Sequence, residues 1–139
     1  MSDSSAVDVA VMAKLSGDAT LMAVTTDGVW RDEAPQGATK FVIVSQQAHE
    51  DNYQENGEAY ELFTYLVKAV TQDSSGSNVS TAAARIHTLL QDGSLSPTGY
   101  RLMNMHRAER VTYAEVDESN LDLRWQHRGG LYEVMVEAT

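Results

Sequence analysis

Five consecutive residues, Phe41-Val42-Ile43-Val44-Ser45, restrict this chain more than any other feature. Side chains alternate between the two faces of a strand, so an apolar run without polar interruption predicts a central strand covered on both sides. A chain of 139 residues, 42% hydrophobic and 22% charged, can build the core that such a strand needs. Its length suits one domain spanning residues 1–139. With no cysteine, the chain has no disulfide, thiolate zinc site, iron–sulfur cluster or cysteine nucleophile, so packing must hold it together.

Ahead of that strand, Val7, Val11, Met12 and Leu15 recur at helical spacing, with Ser5 and Asp8 placed as a capping box. They predict a helix over residues 5–16 that ends at Gly17. Residues 18–24 add a helical turn or a short extension, and Asp27-Gly28 turns the chain into Val29-Trp30-Arg31, a short strand at best. Ala34-Pro35-Gln36-Gly37 is a loop, because proline fixes φ and glycine permits φ above zero. Residues 46–58 (QQAHEDNYQENGE) carry four acids and almost no apolar side chain, the composition of an exposed loop or of the frayed tips of a hairpin. Over residues 59–71 two readings compete. Ala59, Leu62, Phe63, Leu66, Val67 and Val70 mark a helical face, whereas Tyr60, Phe63, Thr64, Tyr65, Val67, Val70 and Thr71 are strand formers.

A polar link over residues 72–78 precedes the clearest helical stripe, Val79, Ala82, Ala83, Ile86, Leu89 and Leu90. That helix runs to about Gln91, with Gly93 as its stop. From Tyr100 onward strand formers alternate with polar residues, through Leu102, Asn104, His106, Val111 and Tyr113, and again after a turn at residues 117–120 through Leu121, Leu123 and Trp125. This pattern predicts an antiparallel hairpin. Arg128-Gly129-Gly130 reads as a bulge or tight bend before a closing strand over residues 131–137. The order of helix, strands, helix, strands predicts an α+β fold: an antiparallel or mixed sheet of about five strands with two helices on one face.

Twenty acids against ten bases give a net charge of −10, which argues against a nucleic-acid surface or an anionic-membrane surface built on bulk positive charge. The N-terminus has acids where a signal peptide needs bases, and no apolar run approaches the roughly 20 residues of a membrane span, so the chain is expected to stay where it is made. Neither GxGxxG nor GxxxxGK[ST] occurs, and nothing resembles a GxSxG elbow. The four histidines, His49, His87, His106 and His127, form no ligand pair at metal-binding spacing. His49-Glu50-Asp51 comes nearest to a divalent-metal or acid/base cluster, but it reads as part of a solvated loop in which adjacent side chains diverge. His87 reads as a partly exposed helix histidine. No catalytic, metal-binding or cofactor-binding residue is therefore expected.

Charge is polarised along the chain: residues 1–66 hold 11 acids and 3 bases, residues 67–139 hold 9 acids and 7 bases. Arg101, Arg107, Arg110, Arg124 and Arg128 fall in the second part. One reading makes them a solvated strand face paired with Glu109 and Glu115. The other is a head-to-tail ring contact, in which one subunit's arginine strands meet the acidic loop of the next.

Taken in order, several segments resemble those of the phage tail terminators, also called tail completion proteins, of long non-contractile-tailed phages. They are the N-terminal helix, Ala34-Pro35-Gln36-Gly37 leading into Phe41-Val42-Ile43-Val44-Ser45, Tyr65-Leu66-Val67-Lys68-Ala69-Val70 with a serine-rich loop, and Ala82-Ala83-Ala84-Arg85-Ile86-His87 with Leu89-Leu90. After them come residues 107–110 with Tyr113, then Arg128-Gly129-Gly130-Leu131-Tyr132 and a closing strand. The resemblance implies a strand at residues 65–70, in favour of the strand reading of residues 59–71. It also implies a structural virion protein without enzyme activity or cofactor. Six copies would form a ring on the finished tail tube, stop its growth and present a face to the neck of the filled head. The implied partners are further copies of the chain, the tail tube protein and a neck or head-completion protein. DNA would only pass through the lumen, and no membrane is involved. The implied place is the head–tail interface of a virion assembled in the bacterial cytoplasm.

Polarity and length point to Gln47, Glu50, Asp51, Tyr53 and Glu55, with Asp73 and Asn78, as ring or tube contacts, and the charge pattern adds Arg107, Arg110 and Arg128. The rival readings are a neck connector or tail-tube relative and, more remotely, a small α+β enzyme or ligand-binding domain. The last would curl its sheet around a pocket lined by Trp30, Tyr65, His106 and Trp125.

Overall fold

The computed structural model describes residues 5–54, 57–116, 118–119 and 123–139. Two helices, α1 (Ser5–Ser16) and α2 (Ala19–Val24), precede a short strand β1 (Val29–Arg31), and two long strands follow, β2 (Lys40–Gln54) and β3 (Gly57–Asp73). Helix α3 (Ser77–Leu90) then leads to β4 (Tyr100–Val116) and β5 (Arg124–Ala138). The strands form one mixed sheet in the order β1-β2-β3-β5-β4, antiparallel except where β1 runs parallel to β2. Residues 59–71 are strand, and the short extension after the first helix is a helix in its own right, which makes three helices instead of two.

The helices bury their apolar stripes against one face of the sheet. Val7, Val11 and Leu15 of α1, Leu21 of α2, and Val79, Ala82, Ile86 and Leu90 of α3 share one core with Val42, Val44, Phe63, Tyr65, Val67, Met105, Tyr132, Val134 and Val136. Alternation along the strands explains that membership, because these strand residues stand on the helix-side face. On the opposite face Ile43 and Val70 are also buried, so the middle of the sheet is covered on both sides and Phe41-Val42-Ile43-Val44-Ser45 is indeed a central strand.

Two polar links hold the helices to this frame. Asp18 caps α2 by accepting the Leu21 amide at 2.9 Å, and its carboxylate takes two bonds from the Arg85 guanidinium of α3, at 2.8 and 2.7 Å. Asp8, placed by the sequence in a capping box, faces the sheet, where it accepts the hydroxyl of fully buried Tyr65 and lies 3.8 Å from Arg31. Burial first, and then the Asp8 carboxylate, push the Tyr65 phenol well above its ordinary range.

Arg128-Gly129-Gly130 is neither a bulge nor a bend, since β5 pairs with β3 in unbroken register through it. The glycines serve close approach. A Cβ on Gly129 would stand 2.0 Å from the Val67 carbonyl oxygen, and one on Gly130 would stand 2.6 Å from the Glu109 carbonyl oxygen. The register shifts lie in the neighbouring strands, between Leu102 and Asn104 and between Arg107 and Glu109 in β4, between Gln46 and Ala48 in β2, and at Asn52/Tyr53 in the β2–β3 pairing.

Candidate functional site

Arg107 and Arg110 are three residues apart, a spacing that puts side chains on opposite faces of a regular strand. The β4 bulge leaves Ala108 without a partner, so that Arg107 sits opposite Tyr132 and Arg110 opposite Gly130, both at helix-side positions. Arg128 joins them from β5 and donates to Ser80 Oγ of α3 at 2.8 Å. The three guanidiniums, with Ser80, His87 and Thr112, line a groove of about 410 Å³ between α3 and the sheet. The bare backbone of Gly130 makes this possible, since a Cβ there would come 2.7 Å from Arg107 Cδ.

The groove is electropositive and, among the described residues, has no carboxylate to match its arginines. Arg85 is committed to Asp18 and Arg101 to Glu137, whereas among the described residues no carboxylate pairs with Arg107, Arg110 or Arg128. Glu115 meets His127, its Oε1 2.7 Å from Nε2, and among the described residues it pairs with no arginine. The reading of the arginines as a face matched to Glu109 and Glu115 is therefore set aside. His87 Nδ1 lies 3.1 Å from the Tyr132 hydroxyl, and its pKa is lowered by burial first and then by Arg107 and Arg110. A neutral imidazole among three cations suits a groove that receives carboxylates, which guanidinium groups bind in a bidentate fork.

The acidic segment lies elsewhere. Residues 46–54 and 57–58 belong to the β2–β3 hairpin, the second of the two readings of this segment, and residues 55–56 lie outside the described residues. Strand β5 flanks β3 only over residues 61–73, so beyond Glu61 the described hairpin is two-stranded and projects as an arm. Gln47, Glu50 and Asp51 are exposed at its base, where β3 is still flanked by β5, Tyr53 stands near the end of β2, and Glu55 lies outside the described residues. Asp73 sits at the far end of β3, about 40 Å along the strand from Glu61 opposite Asp51 at roughly 3.3 Å per residue, and Asn78 of α3 donates its Nδ2 to Asp73 Oδ2 at 3.1 Å. The nine suspected contact residues that are described thus separate into a group on the β2–β3 hairpin, an arginine groove, and a polar pair at the opposite end of β3.

The Gln47 bulge also re-aims the arm's root. His49 falls opposite Phe63 and Asp51 opposite Glu61, while Glu50 falls opposite Leu62 and so faces the other way. His49 Nε2 is 2.6 Å from Glu61 Oε1 and 4.0 Å from Asp51 Oδ1, and its ring stacks on Phe63 with centroids 4.0 Å apart. Sequence reasoning grouped His49 with its neighbours and missed Glu61, because only strand pairing brings Glu61 in.

Trp30, Tyr65, His106 and Trp125 line no common cavity. Tyr65 is in the helix-side core, Trp30 is exposed on β1, and Trp125 lies near Phe41 with ring centroids 6.2 Å apart. His106 stands on β4, 3.6 Å from Glu133. The curled-sheet pocket is not formed.

The family model described as tail completion protein gp17 matches residues 9–127. No curated protein sequence matches the chain. Among solved structures, the fold is similar to a chain in the virion of a native gene transfer agent (GTA) particle, with a TM-score of 0.71, 22% sequence identity and 95% of each chain covered.

Proposed function

Since the chain belongs to the tail completion protein gp17 family, we propose that it caps the completed tail tube as a ring, stops tube polymerisation and forms the joint to the neck. The observation that supports this reading is the separation of two complementary surfaces on one subunit: the β2–β3 hairpin, with Glu50 and Asp51 exposed at the base of its projecting end, and an arginine groove with no carboxylate of its own among the described residues. Complementary patches at different places on a subunit support a head-to-tail contact, which closes into a ring when the rotation permits. The arm of one copy, through Gln47, Glu50, Asp51, Tyr53 and Glu55, would engage Arg107, Arg110 and Arg128 of the next. Asp73 and Asn78, at the opposite end of β3, are left for the tube or the neck.

Six copies at −10 each would surround the lumen with a formal charge of −60, which favours a passing genome that slides over one that sticks. In this reading the partners are further copies, the tail tube protein and a neck or head-completion protein, and the place is the head–tail interface of the virion. Similarity to a chain of a virion particle supports the assignment at the level of fold. Deleting residues 51–57 tests it: the shortened chain should keep its secondary structure and cooperative unfolding yet fail to cap tubes, and a shortened chain that still caps them would overturn the assignment.

A further inference from the structure

From the root of the arm, and independently of capping, we propose that His49, Asp51 and Glu61 bind a divalent first-row transition metal such as Zn²⁺. One imidazole nitrogen and two carboxylates are a donor set that suits such ions, and their ligand atoms lie within 4.8 Å of one another. Glu61 makes the cluster more than a group of surface acids. Its side chain is fully buried, its Oε1 lies 2.6 Å from His49 Nε2, and its Oε2 has no hydrogen-bond partner among the described residues.

A buried carboxylate with a bare oxygen is costly unless something positive meets it. Between two acceptor atoms as close as His49 Nε2 and Glu61 Oε1, that something is a proton or a metal ion. Metal–nitrogen and metal–oxygen bonds of about 2.0–2.2 Å at a tetrahedral angle span roughly 3.3 Å between ligand atoms. Small side-chain rotations, opening the His49–Glu61 pair and drawing in Asp51, would therefore accommodate the ion. Solvent reaches the cluster from Asp51, 40% exposed, while Glu61 closes it from behind, so water can complete the coordination. The Gln47 bulge aims His49 and Asp51 at Glu61, and stacking on Phe63 fixes the imidazole plane. Bridging β2 to β3 here would stiffen the arm where it leaves the three-stranded part of the sheet.

Cobalt(II) titration of the full chain, followed by visible absorption and then by displacement with Zn²⁺, tests the proposal. One Co²⁺ per chain with the intense bands of a four-coordinate site, displaced by Zn²⁺ with a rise in melting temperature, is the expected result. His49→Ala, Asp51→Asn and Glu61→Gln should each weaken binding at least about tenfold, whereas His106→Ala should not. Asp51 is exposed, so D51N reports on binding even if E61Q perturbs the fold. Only the pale spectrum of hydrated Co²⁺ with the wild-type chain, or an affinity unchanged by H49A and D51N, would overturn the proposal and leave a proton-bridged His–Glu pair.

Discussion

Asp18 does two jobs with one carboxylate, capping α2 and holding α3 through Arg85. The Arg85 guanidinium is the chief cause that holds its pKa down at about 2, with the Leu21 amide adding to the effect and burial opposing it. An unfolded aspartate titrates near 4, so the folded state binds fewer protons between those values. The pair's contribution is therefore fully present above about pH 4 and is lost as pH falls toward 2. Arg85→Ala should lower stability modestly at neutral pH, as expected of a partly exposed ion pair screened by solvent. The gap between wild type and R85A should close as the pH falls from 4 to 2, which urea unfolding measured across that range will show. A gap that does not vary with pH would mean that Arg85 acts only through packing.

The long strands are decided by contacts distant in sequence. Gly129 shows how tightly they are fitted, since a methyl group there would stand 2.0 Å from the Val67 carbonyl oxygen inside an unbroken ladder. Gly129→Ala should destabilise by at least the roughly 1–3 kcal/mol usual for overpacking, measurable by denaturant unfolding. An alanine tolerated within 0.5 kcal/mol or so would show that β3 and β5 can part. This is also where the sequence is hardest to read. Helices α1 and α3 announce themselves because each buries one stripe, and the central strand shows as an uninterrupted apolar run. Residues 59–71 do not, because Phe63, Tyr65 and Val67 are buried on one face and Val70 on the other, and that pattern satisfies helical and strand spacing alike. The bulges leave no mark in composition. Yet Ala108 turns Arg107 and Arg110 to one side, and Gln47 brings His49 against Glu61. The three arginines, His49 and Asp51 stand out in the sequence, but Glu61 does not, because only strand pairing places it beside His49. Arg128-Gly129-Gly130 misled for a related reason, since local sequence does not distinguish glycine that bends a chain from glycine that lets another chain come close.

For the whole molecule, the proposal depends on a subunit that carries both halves of its own interface. Reversing one half, with Arg107→Glu and Arg110→Glu, should abolish ring formation without unfolding the chain, because both side chains line an open groove. Reversing the arm as well, with Glu50→Arg and Asp51→Arg, should restore part of it, as opposed charges would again meet across each contact. Native mass measurement distinguishes ring from monomer in each case, and a quadruple variant no better than the double would remove the arm-to-groove contact. The central claim, that this chain ends the tail tube and joins it to the head, is tested most directly by electron microscopy of particles assembled without it. Overlong, irregular tails beside full, tailless heads are the predicted result. Tails of normal length joined to heads would contradict it.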